Sequence, residues 1–408
     1  MSEALRRVLD YCYRNSPFYR KKFDEAGVKP SDVRSIDDFL KKVPFSSKKE
    51  VLESQYSKPP FGDFLAVEAR RIRRVYVSPG PLYEPYTEKD LVDTRRVHAE
   101  MLSSIGVRPG DVAQVTASYN MMPGAWYLHD GLEELGCTVI PAGPGESRMQ
   151  VTIMRSFGTT VYLGAPSFLA RIYDVCRELG VEPRKDLKLR IGFSSFEPLT
   201  PTLRRDLEEK FGVELFNAYG IGELGWFACE CKQHDGMHVL GDHFLVEIID
   251  PETLEPVGLG EEGEIVVTPL FREAMPLVRY RTGDLSSFAR EPCPCGISWP
   301  KLTGIYGRVD MATKVKGVLI HAWQVQKVLA AHPELGRFQI VVDRPARIDV
   351  AKILIEVAPD KVGSEELKRR LYSELKDATH VDFDVELVVE GTIPKDAKTL
   401  EDRRKIWR

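Results

Sequence analysis

The sequence holds no run of about 18 apolar residues such as a membrane span requires. Its opening MSEALRRVLDYCYRNSPFYRKKF also lacks the uninterrupted apolar core of a secretory leader. Neither a membrane partner nor export is indicated, and a cytoplasmic location is expected. Positive charge is not in excess: 57 Lys and Arg stand against 61 Asp and Glu, giving a net charge of -4. Without a basic field a nucleic-acid partner is not expected, and small molecules are the better candidates. Cysteine is sparse, seven residues in 408, and an odd count spread over a long chain excludes a disulfide framework in favour of reduced thiols or metal ligands. No G-x-G-x-x-G follows a strand and no G-x-x-x-x-G-K-[ST] occurs, which removes a dinucleotide Rossmann site and a Walker loop. Internal repeats and low-complexity tracts are absent as well.

What remains is ordinary globular composition, 43% hydrophobic and 29% charged, in a chain long enough for a large domain and a smaller one. Residues 1 to about 60 read as a helical lead-in, with Asn15-Ser16-Pro17 and Lys29-Pro30-Ser31-Asp32 as turn and capping signals. From Asp111 strand and helix patterns alternate: DVAQVTAS, MPGAWYLHDGLEELG, CTVIPA, SRMQVTIMRSFG, TTVYLGA, PSFLARIYDVCRELG, LRIGFSS, TPTLRRDLEEKFG, VELFNAYG. That alternation predicts a largely parallel sheet covered by helices. After Gly241 the runs FLVEIID, GEIVVTPL and LVRYRTGDL follow without helices, predicting an antiparallel layer. The fold class is therefore α/β: a large N-terminal domain over 1–307 and a small α+β domain over 308–408.

Three segments carry a resemblance: Asn217-Ala218-Tyr219-Gly220-Ile221-Gly222-Glu223, then Tyr280-Arg281-Thr282-Gly283-Asp284-Leu285, then Gly307-Arg308-Val309-Asp310. Their order and spacing resemble those of adenylate-forming enzymes. SPFYRKKFDEAGVKPSDVRSIDDFLKKVPF, DGMHVLGDHFLVEIIDPETLEPVGLGEEGEIVVTPLFREAMPLVRYRTGDL and EPCPCG narrow the resemblance to phenylacetate-CoA ligases, over nearly the whole chain. The resemblance implies that Ser195, Phe196 and Glu197 wall the adenine with Asn217, Ala218, Tyr219 and Gly220. It implies that Asp284 accepts from the ribose hydroxyls, that Arg308 donates to the ribose or phosphate side, and that Glu223 helps to hold Mg²⁺, a hard ion suited to carboxylate oxygen. It further implies a catalytic lysine on a mobile C-terminal domain, Lys398 with Lys395 as second candidate, and a hinge at Asp310. A solvated basic tail is the alternative for those lysines. The acyl pocket would be lined by Tyr119, Asn120, Met121, Met122, Trp126 and Tyr127, an aromatic wall suited to a bulky carboxylate; plain helix core is the alternative. The expected activity is that of an AMP-forming carboxylate-CoA ligase taking ATP, coenzyme A and an aromatic acid, as a homodimer.

One segment departs from that pattern. The family's phosphate loop is rich in Ser, Thr and Gly and ends in Gly-Lys-Pro; here it is Tyr76-Val77-Ser78-Pro79-Gly80-Pro81-Leu82-Tyr83-Glu84-Pro85-Tyr86-Thr87. It is shorter, its three prolines carry no N–H donor, and Glu84 stands where a cation is expected. Gly222 replaces the hydroxyl residue that would touch the α-phosphate. These losses favour, as the alternative function, a paralogue that binds or processes a CoA thioester or an adenylate without full ligation.

Cys229 and Cys231, His234 and His238, and the later Cys293-Pro294-Cys295 are types that suit tetrahedral Zn²⁺. The resemblance implies a closed structural site from Cys231, His238, Cys293 and Cys295, with Cys229 and His234 as possible substitutes and free buried thiols as the alternative.

Overall fold

The computed structural model describes residues 3–404 apart from 317, 333, 346, 347, 395 and 396, and leaves aside the side chains of residues 310, 312, 314 and 319. The described residues form two compact units, Met1–Thr282 with Ser287–Gly304, and Gly283–Ser286 with Ile305–Arg408.

The first unit is built on an eight-stranded sheet in the order Lys301–Leu302, Met237–Val239, Gly225–Glu230, Glu214–Ile221, Ile191–Ser194, Val161–Gly164, Val112–Val115, Thr138–Ile140. The last five strands are parallel and the first three antiparallel. Strands such as Val161–Gly164 and Ile191–Ser194 are buried along their whole length, as expected where helices cover both faces. Every strand and helix expected between Asp111 and Gly220 is present within a few residues of its sequence limits. The helices stop where glycine supplies a left-handed cap: Gly136, Gly158 and Gly212 follow Gly124–Leu135, Ser147–Phe157 and Pro201–Phe211.

Two sides of the switch from parallel to antiparallel pairing are adjacent. Ser194 at the carboxyl end of one strand stands opposite Asn217 in the next, so the loop after Ser194 and the turn after Ile221 open on one end of the sheet. In open α/β sheets this is where ligands bind.

A second sheet of the first unit holds Phe244–Ile249, Gly263–Pro269 and the first three residues of the strand Tyr280–Ser286, antiparallel as expected for the first pair. Ser46–Ser47 adds to it in parallel, opposite Tyr280 and Arg281. The lead-in, helices Glu3–Asn15, Pro17–Glu25, Ile36–Lys42 and Lys48–Ser57, is thereby tied to this sheet. A two-stranded hairpin, Ile72–Ser78 with Leu82–Thr87, precedes the long helix Glu88–Ser104, whose N-terminus is closed by a capping box between Thr87 and Asp90.

In the second unit Asp284 pairs with Arg308 across the strands Gly283–Ser286 and Gly307–Arg308. Beyond it lie a hairpin, Ala312–Val315 with Val318–His321, and a four-stranded sheet ordered Phe383–Val389, Val350–Val357, Leu335–Asp343, Leu400–Asp402. Helices Ala322–Leu329 and Glu365–Thr379 complete this α+β unit, whose separate core includes Val325, Ile340, Ile353, Leu371 and Leu375.

Candidate functional site

The turn Gly222–Leu224 joins Glu214–Ile221 to Gly225–Glu230 and carries Glu223, which is buried. Its carboxylate accepts from Lys48 Nζ at 2.9 Å and from the Tyr280 hydroxyl at 3.2 Å. Burying a carboxylate without such partners is costly. Lys48 stands at the first position of its helix, after the cap Ser47. The helix dipole disfavours a cation there, and this misplacement is the signal that marks Lys48, which the motif reading did not include.

Glu84 lies on the hairpin opposite Tyr76 and is wholly enclosed. It shares a hydrogen bond with the Ser78 hydroxyl. Burial, and then the nearby charge of Glu223, push its carboxyl up to about 8, so near neutral pH it carries a proton. The repulsion expected between Glu84 and a phosphate is correspondingly reduced. The two hairpin strands pair up to Ser78 opposite Leu82, so the turn between them is the three residues Pro79-Gly80-Pro81. Only Gly80 among them has a backbone N–H to offer an anion.

In the segment expected to wall the adenine, Ser195 is buried and its hydroxyl has no partner among the described residues. Phe196 has a positive φ of 73°, a rare conformation for an aromatic residue. Its half-exposed ring meets Trp226 edge-on at 5.1 Å. Glu197 accepts from the Ser167 N–H at 2.6 Å near the start of Pro166–Glu178. Asn217 donates its N–H to Glu230, and Tyr219 packs edge-on against Phe227 at 5.0 Å. Ser195 to Glu197 and Asn217 to Gly220 thus flank neighbouring strand ends.

In the second unit, Arg308 Nη1 donates to Asp284 Oδ1 at 3.0 Å. The arginine is the more exposed member, with 45% of its side-chain surface open against 12% for Asp284. Gly283, just before Asp284, has a φ of 77°, a left-handed conformation that favours glycine. Lys398 is exposed, and its backbone carbonyl accepts from Gln339 at 3.2 Å. Lys395 and the Asp310 side chain lie outside the described residues.

The acyl-pocket candidates divide. Tyr127 is core, whereas Met121 and Met122 are exposed, so helix core does not account for the methionines. Tyr119 meets Trp126 edge-on at 5.1 Å and its hydroxyl is 3.1 Å from His129 Nδ1. The exposed Asn120 side chain accepts from the Met122 N–H, and its carbonyl accepts from Trp126 Nε1.

Cys231, His238, Cys293 and Cys295 converge, with their ligand atoms all within 4.8 Å of one another. Cys231 and Cys293 sulfurs are 3.7 Å apart, and Cys295 Sγ is 3.3 Å from His238 Nε2. His238 Nδ1 faces the Trp299 carbonyl at 3.2 Å. That bond fixes the tautomer and leaves Nε2 for a metal. Three thiols and an imidazole in this arrangement fit Zn²⁺ with no open position. The two substitutes stand apart: Cys229 is a buried core thiol, and His234 lies against Glu230 and Arg204.

Comparison with known proteins gives family and fold relatives. The model of the AMP-binding enzyme family matches residues 91–269, and that of the AMP-binding enzyme C-terminal domain matches 317–404. The phenylacetate-coenzyme A ligase of Thermus thermophilus is 35% identical over 96% of this chain and 92% of its own. That of Aromatoleum evansii is 32% identical over 98% and 93%. Among solved structures, an open conformation of 2-hydroxyisobutyryl-CoA ligase with 2-HIB-AMP and CoA is similar at a TM-score of 0.86 and 28% identity, over 98% of this chain and 90% of that one.

Proposed function

We propose, from the premise that this chain belongs to the phenylacetate-CoA ligase family of AMP-forming acyl-CoA ligases, that it joins an aromatic carboxylic acid to coenzyme A in the cytoplasm. The observation that carries the reading is Glu223, a buried carboxylate beside Lys48 at the end of the strand that holds Tyr219. In the first half-reaction a carboxylate oxygen attacks the α-phosphorus of ATP and pyrophosphate leaves. In the second, the CoA sulfur attacks the acyl carbon and the bond to AMP breaks.

In this reading Ser195 to Glu197 and Asn217 to Gly220 receive the adenine, and Asp284, oriented by Arg308, receives the ribose hydroxyls. Tyr119, Asn120, Met121 and Trp126 line the acyl group. Glu223 would hold Mg²⁺, which supplies charge neutralisation at the phosphates when bound. Lys398 provides the cation for adenylation, and Asp310 is the hinge of the C-terminal domain. Cys231, His238, Cys293 and Cys295 hold a structural Zn²⁺, and the protein forms a homodimer.

A second reading is favoured by the loop Pro79-Gly80-Pro81. With two prolines it has lost most donors for a triphosphate, and each lost charge-assisted bond weakens binding by roughly 1.5–3 kcal/mol. The chain would then take an adenylate or a CoA thioester and not ATP.

The deciding experiment runs the two half-reactions separately. Pyrophosphate release from ATP with phenylacetate and a panel of aromatic and short acids reads the first; CoA thioester formation from synthetic phenylacetyl-adenylate reads the second. Turnover in both supports ligation, turnover in the second alone supports the adenylate reading, and turnover in neither rejects both.

A further inference from the structure

The turn Gly222–Leu224 is held from behind by four side chains, Tyr127, Tyr86, Arg272 and His98. Tyr127, fully enclosed on the helix Gly124–Leu135, donates its hydroxyl to the Gly222 carbonyl at 3.0 Å. The Tyr86 hydroxyl hydrogen-bonds with that of Tyr127, and Arg272 Nη1 donates to Tyr86 at 2.6 Å. A phenol has a single hydrogen to give. That of Tyr127 goes to Gly222, so that of Tyr86 goes to Tyr127, and the relay runs one way from guanidinium to carbonyl.

His98 stacks on the Tyr127 ring at 5.0 Å and 10°. Its Nδ1 faces the Thr94 carbonyl at 2.7 Å and therefore bears the proton, and its Nε2 accepts the Trp226 N–H at 3.2 Å. Both ends of the segment are fixed in this way, residue 222 through its carbonyl and residue 226 through its N–H.

The peptide unit between Gly222 and Glu223 is planar and trans, so its C=O and N–H point in opposite directions. Anchoring the Gly222 carbonyl on Tyr127 aims the Glu223 N–H away from the helix. Among the described residues that N–H has no acceptor, whereas the next, Leu224 N–H, donates to the Ile221 carbonyl at 3.1 Å. A buried relay of this kind adds little stability over a well-packed apolar core. What it supplies is orientation.

We propose that Tyr127, Tyr86, Arg272 and His98 are positioning residues that hold the Glu223 main-chain N–H as a donor to the phosphate of an adenylate, replacing the hydroxyl that Gly222 lacks. The proposal rests on the adenylate-site reading above. It deepens it by naming a phosphate contact made by backbone, which a search for side-chain donors would miss.

Tyr127→Phe removes the donor and keeps the ring on His98. Calorimetry on the full chain with AMP and with adenosine is expected to show AMP affinity falling about tenfold, the worth of one hydrogen bond to a charged group, with adenosine affinity unchanged within about twofold. Hydrogen exchange at the Glu223 amide is expected to slow on AMP addition in the wild type and less in the variant. Should Tyr127→Phe fail to fold, His98→Gln, which retains an acceptor for Trp226 N–H, is expected to keep AMP affinity, and His98→Ala to lose it. Equal AMP affinities in wild type and Tyr127→Phe, an equal loss for adenosine, or AMP binding that leaves the Glu223 amide unprotected would each overturn the proposal alone. A wild type that binds neither ligand would overturn the adenylate-site reading as well.

Discussion

Gly222 and Ser78 compete for one volume: a Cβ built on Gly222 would come inside 3.0 Å of Ser78 Oγ and 3.4 Å from Glu84 Oε1. The Ser78 hydroxyl is buried and bonded to Glu84. The glycine at position 222 and the carboxyl at position 84 thus both depend on where the Ser78 side chain sits.

Restoring a threonine at position 222 should on that account harm the protein. Gly222→Thr is expected to cost about 1–3 kcal/mol, the usual range for overpacking, read as a lower midpoint in guanidinium unfolding. Ser78→Gly clears the volume, so the double variant should recover much of the loss. Simple additivity of the two single effects would show that the positions do not share space.

Glu84 sets a pH dependence whose sign follows from its raised pKa. Burial, then the charge of Glu223, lift the carboxyl to about 8, against roughly 4.3 for an unfolded glutamate. Between those values the native state holds a proton that the unfolded state has lost. Stability is fully kept below the window and falls as pH rises through it, by at most about 1.4 kcal/mol per pH unit for one proton. Glu84→Gln removes this slope. Unfolding of wild type and variant at pH 5, 6, 7 and 8 measures the difference, and parallel curves would reject a proton on Glu84.

Arg279 fastens the lead-in helices to the antiparallel sheet. It is buried, donates to Glu247 through Nε at 3.1 Å and Nη2 at 2.6 Å, and donates through Nη1 to the Leu40 and Val43 carbonyls at 2.8 and 2.7 Å. Arg279→Met strands the Glu247 charge and two carbonyls, an expected loss of about 3–5 kcal/mol. Adding Glu247→Leu removes the stranded charge and should return most of that loss. Denaturant midpoints of the single and double variants test this.

The α/β core was legible because its signals are local: apolar runs of strand length alternate with helices closed by glycine, as at Gly136 and Gly158. Asp284 and Arg308 lie in sequence motifs, and their pairing across two strands confirms only that they are neighbours. The residues behind the Glu223 turn were not legible. Tyr86, His98 and Tyr127 come from three separate elements and Arg272 from a loop, and nothing in the spacing of one records the others. Lys48 escaped notice for a related reason: Ser46–Ser47 forms a two-residue strand, too short for any periodicity, and that strand carries the lysine to Glu223. The burial of Glu84 was also hidden, because a carboxylate on a hairpin reads as solvent-facing until the strand's buried face is known.

The metal prediction separates Cys231 from Cys229, which the sequence left as a possible substitute. Cys229 and Cys231 are two residues apart on and after one strand, yet only Cys231 joins His238, Cys293 and Cys295 within 4.8 Å. Cys229 lies within the strand and packs in the hydrophobic core, where burial pushes its thiol well up and opposes thiolate formation. Elemental analysis of purified protein should therefore give about one zinc per chain. Cys293→Ser and His238→Ala are expected to lose it, while Cys229→Ser retains it. Because a ligand that binds only the native state stabilises it in proportion to the logarithm of its excess, chelation should cost about 4 kcal/mol if zinc is held a thousandfold above its Kd. A protein that carries no zinc after mild purification, or that loses it equally on Cys229→Ser, would show that these four side chains meet for packing and not for a metal.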